Sequence, residues 1–203
     1  MMSVIPPHSG SPWGPEDMSI IAGMFNTSKS GAEEPSRQTV KVINWYIHED
    51  YETAIFKNDI AMVYLADDIH FSPQVSPICL PKRAAKANKM CVITGWGKTA
   101  VEWPDVLHQV KIPIVDQKVC RQPTWHGNNI TDDMLCAGYP EGGKDTCSSD
   151  SGGPLMCKYG HNWVLHGVTS WGKGYDCGAP KNPGVYTRIS SYVKWMKKIM
   201  SSV

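Results

Sequence analysis

Long hydrophobic runs are missing from this chain: stretches such as "AMVYLA" fall far short of the ~20 residues a membrane-spanning helix needs. A charge excess is missing too. Lys and Arg total 20 against 19 Asp and Glu, for a formal net charge of +1, and the lysines are scattered. Such a surface makes no field that would hold nucleic acid or an anionic membrane, and neither partner is expected. There is no internal repeat. The opening "MMSVIPPHSGSPWGPEDM" has no basic start and no continuous apolar segment, so it does not read as a secretory signal. Cysteine is absent before position 79. None of the seven cysteines forms a CxxC or a Cys/His group at zinc-site spacing, so no metal is expected, and no cofactor is implied.

What is present is enough to build a core: 203 residues, 41% of them hydrophobic, suit a globular chain. The cysteines at 79, 91, 120, 136, 147, 157 and 177 read as a disulfide framework with one thiol left over. Such a framework belongs to the secretory route, which stands against the unsuitable amino terminus. Residues 1–18 hold four prolines, two glycines and three serines and read as a divergent, disordered leader. Beyond them, short alternating or apolar runs recur between turn residues: "MSIIAGMF", "TVKVINWYI", "IAMVYLA", "KMCVITGWG", "HQVKIPIV", "NWVLHGVTSW" and "GVYTRI". Strands without intervening helices predict an all-β barrel or sandwich. Only the end differs, where Ile189, Val193, Met196, Ile199 and Met200 follow helical spacing, with Ser190 and Ser191 as candidate caps.

One stretch, "GYPEGGKDTCSSDSGGPL", has the setting of an activated serine. It is followed by "SWG" nineteen residues after Ser151 and by "CGAPKNPGVYTRI". With "NDIAMVYL" and "CVITGWGKT", these motifs resemble the trypsin-like (chymotrypsin-family) serine endopeptidases over roughly residues 19–203. The resemblance implies two antiparallel β-barrels, here with an incomplete first barrel in 19–91, a second in 92–203, and a C-terminal α-helix. It implies peptide-bond hydrolysis after Arg or Lys in a secreted protein, with a polypeptide substrate or a protease inhibitor as partner. Ser151 matches the nucleophile and Asp59 the acid that orients the catalytic imidazole, in the family from which the triad template is drawn. Asp145 matches the carboxylate at the floor of the primary pocket, where a basic side chain would pair with it. Gly172 and Gly184 match pocket walls that must stay clear, and Ser170 and Trp171 the edge that pairs with an extended substrate. The backbone N–H groups of Ser149 and Ser151 match the oxyanion hole, and Asp150 the partner of the amino group freed on activation. The implied disulfides are Cys91 with Cys157, Cys120 with Cys136 and Cys147 with Cys177, leaving Cys79 unpaired. Asn26 and Asn129 head glycosylation sequons. Some relatives bind calcium in the first barrel, but here only Glu33 and Glu34 are on offer, and no calcium is expected.

Three departures stand against full activity. The family's "AAHC" histidine, about forty-five residues before the triad acid, is absent, and none of the seven histidines is followed by cysteine. Of the substitutes, His8 lies in the leader and His48 sits in "YIHEDY", a surface position in relatives. His166 falls roughly 13 Å along a strand from Ser170. "SIIAG" at 19–23 imitates an activation start but lacks a preceding basic residue, so it reads as a later strand of the first barrel. Asp150 is then expected to lack its cationic partner, a costly state for a buried acid that relaxes the pocket toward a zymogen-like form. Ser149 stands where the family has glycine, so its Cβ crowds the oxyanion donor. The chain is expected to be inactive or nearly so, or to be a non-catalytic peptide- or inhibitor-binding homologue.

Overall fold

The computed structural model of the protein describes residues 14–172 and 177–202. Two antiparallel sheets hold nearly all of its strands. The first is β1 (Ser19–Ala22), β2 (Gln38–Ile47) and β3 (Ala61–Leu65), in the order β1-β2-β3. Here "SIIA" pairs along its length, Ile20 opposite Val40, so this segment is strand interior, as read. Residues 14–18 begin with a short 3-10 turn, Pro15–Asp17, after which the Met18 carbonyl accepts from the Val42 amide at 3.0 Å. This part of the segment set apart as a leader therefore extends the sheet. Residues 1–13, His8 among them, lie outside the described residues.

The second sheet has six strands: β4 (Met90–Gly95), β5 (His108–Pro113), β6 (Met134–Ala137), β7 (Pro154–Tyr159), β8 (Asn162–Trp171) and β9 (Gly184–Arg188). Their order is β5-β4-β7-β8-β9-β6. The two ends of that row meet, because Ile114 bridges Ala137 and the amides of Val115 and Gly138 bond to the carbonyls of Cys136 and Pro113 at 2.9 and 3.0 Å. The sheet thus curls closed and loses its edges. Inside sit Ile93, Ile112, Leu135, Leu155 and Tyr186, all buried.

The all-β reading holds, as does the C-terminal helix. Two strands were not foreseen. "MLCA" in β6 is buried at all four positions and so shows no alternation, and β7 opens on Pro154. A four-residue helix, α1 (Gln117–Cys120), capped by the Asp116 side chain on the Lys118 amide, also interrupts the strands.

The final helix, α2 (Ile189–Met200), corrects two expectations. Its cap position is Arg188, with no side-chain cap, so Ser190 and Ser191 lie inside the first turn. Its buried face is Ile189, Tyr192, Trp195 and Met196, while Met200 is exposed. The aromatics win that face because they can bury rings and still satisfy a polar tip. Tyr192 Oη donates to Asp133 at 2.7 Å and Trp195 Nε1 to Glu49 at 2.8 Å. This face, with Ile60, Leu165 and Val168, forms the apolar layer joining the two sheets.

Candidate active site

Asp59 follows Asn58, a residue in the left-handed region at φ 56°. Three groups fix that turn: the Asn58 amide donates to Asp133 at 3.1 Å, and Tyr192 Oη bonds both Asp133 and the Asn58 side-chain oxygen. Asp59 is thereby aimed at β8, where it accepts from Ser170 Oγ at 2.5 Å. Its own carbonyl accepts from Thr187 Oγ1 at 2.6 Å. The triad acid proposed on sequence and the start of the proposed substrate edge are thus directly bonded across 111 residues.

Ser151 is exposed at the turn after Asp150, and its hydroxyl makes no hydrogen bond among the described residues. Ser149 lies at φ 71°, the left-handed conformation glycine adopts freely and a Cβ penalises, so the departure from the family's glycine falls on a position that uses it. No described histidine ring is seen bonded to Ser151. His48 accepts the Asp50 amide through Nδ1 at 3.2 Å and stacks beside Trp195. His166 is buried against Tyr159, and burial, with Lys89 and Arg188 nearby, holds its pKa below the usual value. His70, His108 and His161 are exposed.

Asp150, expected to lack a cationic partner, is held by backbone groups instead. Its two oxygens accept from the amides of Gly97 and Cys147, each at 2.9 Å. The approach depends on two glycines: a Cβ on Gly95 would stand 1.9 Å, and one on Gly97 2.5 Å, from Asp150 Oδ1. Backbone dipoles hold the carboxylate here, with no cation paired to it among the described residues. Gly95 and Gly97 were not singled out on sequence, because their partner is some fifty residues away.

Asp145 is mostly buried, and that desolvation pushes its pKa up to about 6 despite hydrogen bonds that favour the ionised form. It accepts from the Thr146 amide at 2.8 Å and the Gly178 amide at 3.2 Å. Gly184 packs on it: a Cβ there would stand 2.5 Å from Asp145 Oδ1. This glycine makes room for the acid itself. Gly172 is exposed and a Cβ there would meet nothing within 4 Å, so it borders open space. Trp171 is half-buried with its ring edge on His126, 5.2 Å between centroids.

A cavity of about 600 Å³ lies against the 143–150 loop, lined by Gly97, Lys98, His108, Lys144, Asp145 and Asp150 among others. None of Ser151, Ser170, Trp171, Gly172 or Gly184 lines it. Of the residues expected to form the primary pocket, Asp145 lines this cavity, while the expected walls Gly172 and Gly184 do not. Cys91–Cys157, Cys120–Cys136 and Cys147–Cys177 are bonded and Cys79 is free and exposed, the pairing that the resemblance implies. Asn129 is exposed, and Asn26 half-buried in a loop bond to Ser28.

A closed six-stranded β-barrel beside a second sheet, a C-terminal helix, and an aspartate reaching across to a serine on the barrel edge define the trypsin-like serine protease class. The chain belongs to the trypsin family: the family model described as Trypsin matches residues 10–196, beginning inside the proposed leader. Trypsin-1 of Astacus astacus is 40% identical over 185 residues, which cover 90% of this chain and 76% of that protein. Coagulation factor XII of Bos taurus and of Sus scrofa are each 34% identical over 93% of this chain. The chain spans about a third of the length of those two relatives, 32% in each.

Proposed function

We propose that this chain is a trypsin-like serine protease homologue that receives an Arg or Lys side chain of a polypeptide or protease inhibitor at Asp145 and hydrolyses peptide bonds slowly or not at all. The observation that carries the reading is Asp145, a largely buried carboxylate with a pKa of about 6 and no charged hydrogen-bond partner among the described residues. An incoming guanidinium or ammonium stabilises its ionised form, and the low dielectric around it favours a cation over a neutral side chain. The Ser170–Trp171 edge would pair with the ligand backbone. The disulfide framework and the family suit an extracellular protein.

The lack of turnover rests on the nucleophile. A serine hydroxyl needs a base to take its proton, the family's histidine motif is absent from the sequence, and the Ser151 hydroxyl bonds nothing among the described residues. Loss of the histidine in an analogous triad costs roughly a million-fold in rate, or about 8 kcal/mol of barrier. A disturbed oxyanion donor at Ser149 adds about 100- to 1,000-fold at most. The base is the larger loss.

The test pairs two measurements on the full chain. Binding of an aryl amidine, an arginine mimic, is expected, and is expected to vanish in Asp145→Asn. Labelling by a fluorophosphonate and turnover of an arginyl amide are expected to be absent. Labelling that disappears in Ser151→Ala would establish an active endopeptidase instead, and an amidine that binds Asp145→Asn equally well would refute the pocket.

A further inference from the structure

At one end of the six-stranded barrel the fold gathers cations that the sequence spreads out. Four of them lie in "KRAAKANK", residues 82–89, a segment that runs from the start of β8 to the end of β5. Cys79 pairs with Val164 in β8, and the Asn88 amide bonds to the Ile114 carbonyl just past β5, at 2.8 Å. In the strand order β5-β4-β7-β8 that path crosses the rim over β7 and β4, three strand spacings or roughly 14 Å. The β7–β8 hairpin turns at the same rim and adds Lys158 and the exposed His161. We propose that this rim, with Lys82, Arg83, Lys86, Lys89 and Lys158, is a docking surface for a linear sulfated polysaccharide.

The charge here is local and uncompensated. The whole chain carries a formal net charge of +1, yet no Asp or Glu occurs in residues 69–101, 106–115 or 151–175, the stretches that build the rim. Asp116, the first acid after Ile114, caps α1 by accepting the Lys118 amide at 2.7 Å. None of the five cations forms an ion pair among the described residues, and Lys82, Arg83, Lys86 and Lys158 are exposed. Like charges held together without counter-charge repel one another, and a bound polyanion removes that cost.

Two of the cations are already positioned. Lys89, half-buried, holds Nζ 4.4 Å from the Tyr159 ring centroid, and Lys158 Nζ stands 5.8 Å from that of Trp163. Such cation–π contacts restrict the long side chains before any ligand arrives, so less rotamer freedom is lost on binding. The backbone beneath is fixed as well: Asn88, at φ 63°, and Lys89 bond to both sides of Ile114, the Ile114 amide donating to the Lys89 carbonyl at 2.9 Å.

The shape and setting select the occupant. A row of cations along a rim matches the repeated sulfates of an extended chain better than a single anion, and short Lys/Arg-rich segments mark such patches. A membrane surface would need apolar anchors, but the exposed rings of Tyr159 and Trp163 lie under their own lysines. The disulfide framework suits the extracellular setting, where sulfated glycans are the abundant polyanions. From Asn162 to Trp171 the rim lies nine residues, roughly 30 Å, along β8 from the Ser170–Trp171 edge. A docked polysaccharide therefore leaves that edge clear.

The experiment titrates the full chain with a size-defined heparin oligosaccharide by calorimetry at several salt concentrations. Expected are saturable binding and a fall of log K with log salt of slope about 3–4, as four or five engaged cations would give. The triple variant Lys82→Gln, Arg83→Gln, Lys86→Gln should bind at least ~30-fold more weakly. A matched triple away from the rim, Lys29→Gln, Lys41→Gln, Lys98→Gln, loses the same charge and should stay within about threefold. All six side chains are exposed, so the melting temperatures should not move. Arg83→Gln alone repeats the test on a smaller scale, with about 3- to 5-fold weaker binding. Equal weakening by the two triples, or equal binding of desulfated heparin, overturns the proposal. So does tighter binding of phosphatidylserine vesicles or single-stranded DNA, or an absence of saturable binding.

Discussion

The two sheets of this protein solve the same problem with unequal means. The six-stranded sheet closes on itself through Ile114 and Ala137, with one disulfide joining β4 to β7 and two more tying its loops and α1. The three-stranded sheet has no bridge among the described residues and shows Ile21, Ile43 and Tyr64 to solvent at 43, 52 and 45% exposure. Yet Asp59 lies between β2 and β3 of the smaller sheet, while the larger holds the β8 edge and, in the loop between β6 and β7, Asp145 and Ser151. An acid on a weakly self-supporting element is held mainly by its neighbours: Ser170 and Thr187 on Asp59, and Asp133 and Tyr192 on Asn58. The stability of the first sheet is borrowed across the interface.

The contrast is most easily broken by removing the bridge that crosses β4 and β7. Cys91→Ala with Cys157→Ala opens a link of sequence separation 66, and chain-entropy arguments put the cost at about 4 kcal/mol. Denaturant unfolding should show the loss as a lower midpoint. Asp145 comes next. Its folded pKa of about 6 lies above the ordinary value of 3.8, so between those pH values the folded state binds more protons than the unfolded one. Stability therefore falls as pH rises from about 4 through 6, by up to about 3 kcal/mol, and amidine binding strengthens over the same window. Asp145→Asn should flatten both trends, with melting and titration calorimetry as the readouts.

Tyr192→Phe sharpens the comparison at the interface. It removes a hydrogen bond to the ionised Asp133, whose pKa is held low by that bond among others against the cost of its burial. Such bonds contribute about 2 kcal/mol. Hydrogen exchange should locate the loss in β3 and the Asn58 turn, with β4 and β7 unchanged; uniform acceleration would show that the sheets are not separable. The smallest effect is expected on the open face, where Ile43→Ser should change the melting free energy by less than about 0.5 kcal/mol.

Legibility in the sequence followed local pattern. Strands β1 to β5, β8 and β9 announced themselves by alternation or β-branched runs between turns, and "SIIAG" was correctly read as strand. Strand β6 was hidden because a segment buried on both faces, Met134–Ala137, has no polar beat. The face of α2 was misread because Tyr192 and Trp195 are neither fully apolar nor polar until partners such as Asp133 and Glu49 come from other elements. The disulfide pairing came from family resemblance, as spacing alone leaves many pairings open. Asp150 illustrates the site's limit: its acid was visible in "SSDSGGPL", but the amide of Gly97 that holds it is 53 residues distant. Partnerships across such separations leave no local mark.

Strand β8 touches the rest of the chain near both of its tips. Near its start, the Cys79 amide bonds to Trp163 and the Leu165 amide to Cys79, at 3.2 and 2.9 Å. Near its finish, Ser170 holds Asp59. Two stitches a full strand apart fix a seam where one alone would act as a pivot. Strand β8 is accordingly a rail whose pitch the chain itself sets near both ends.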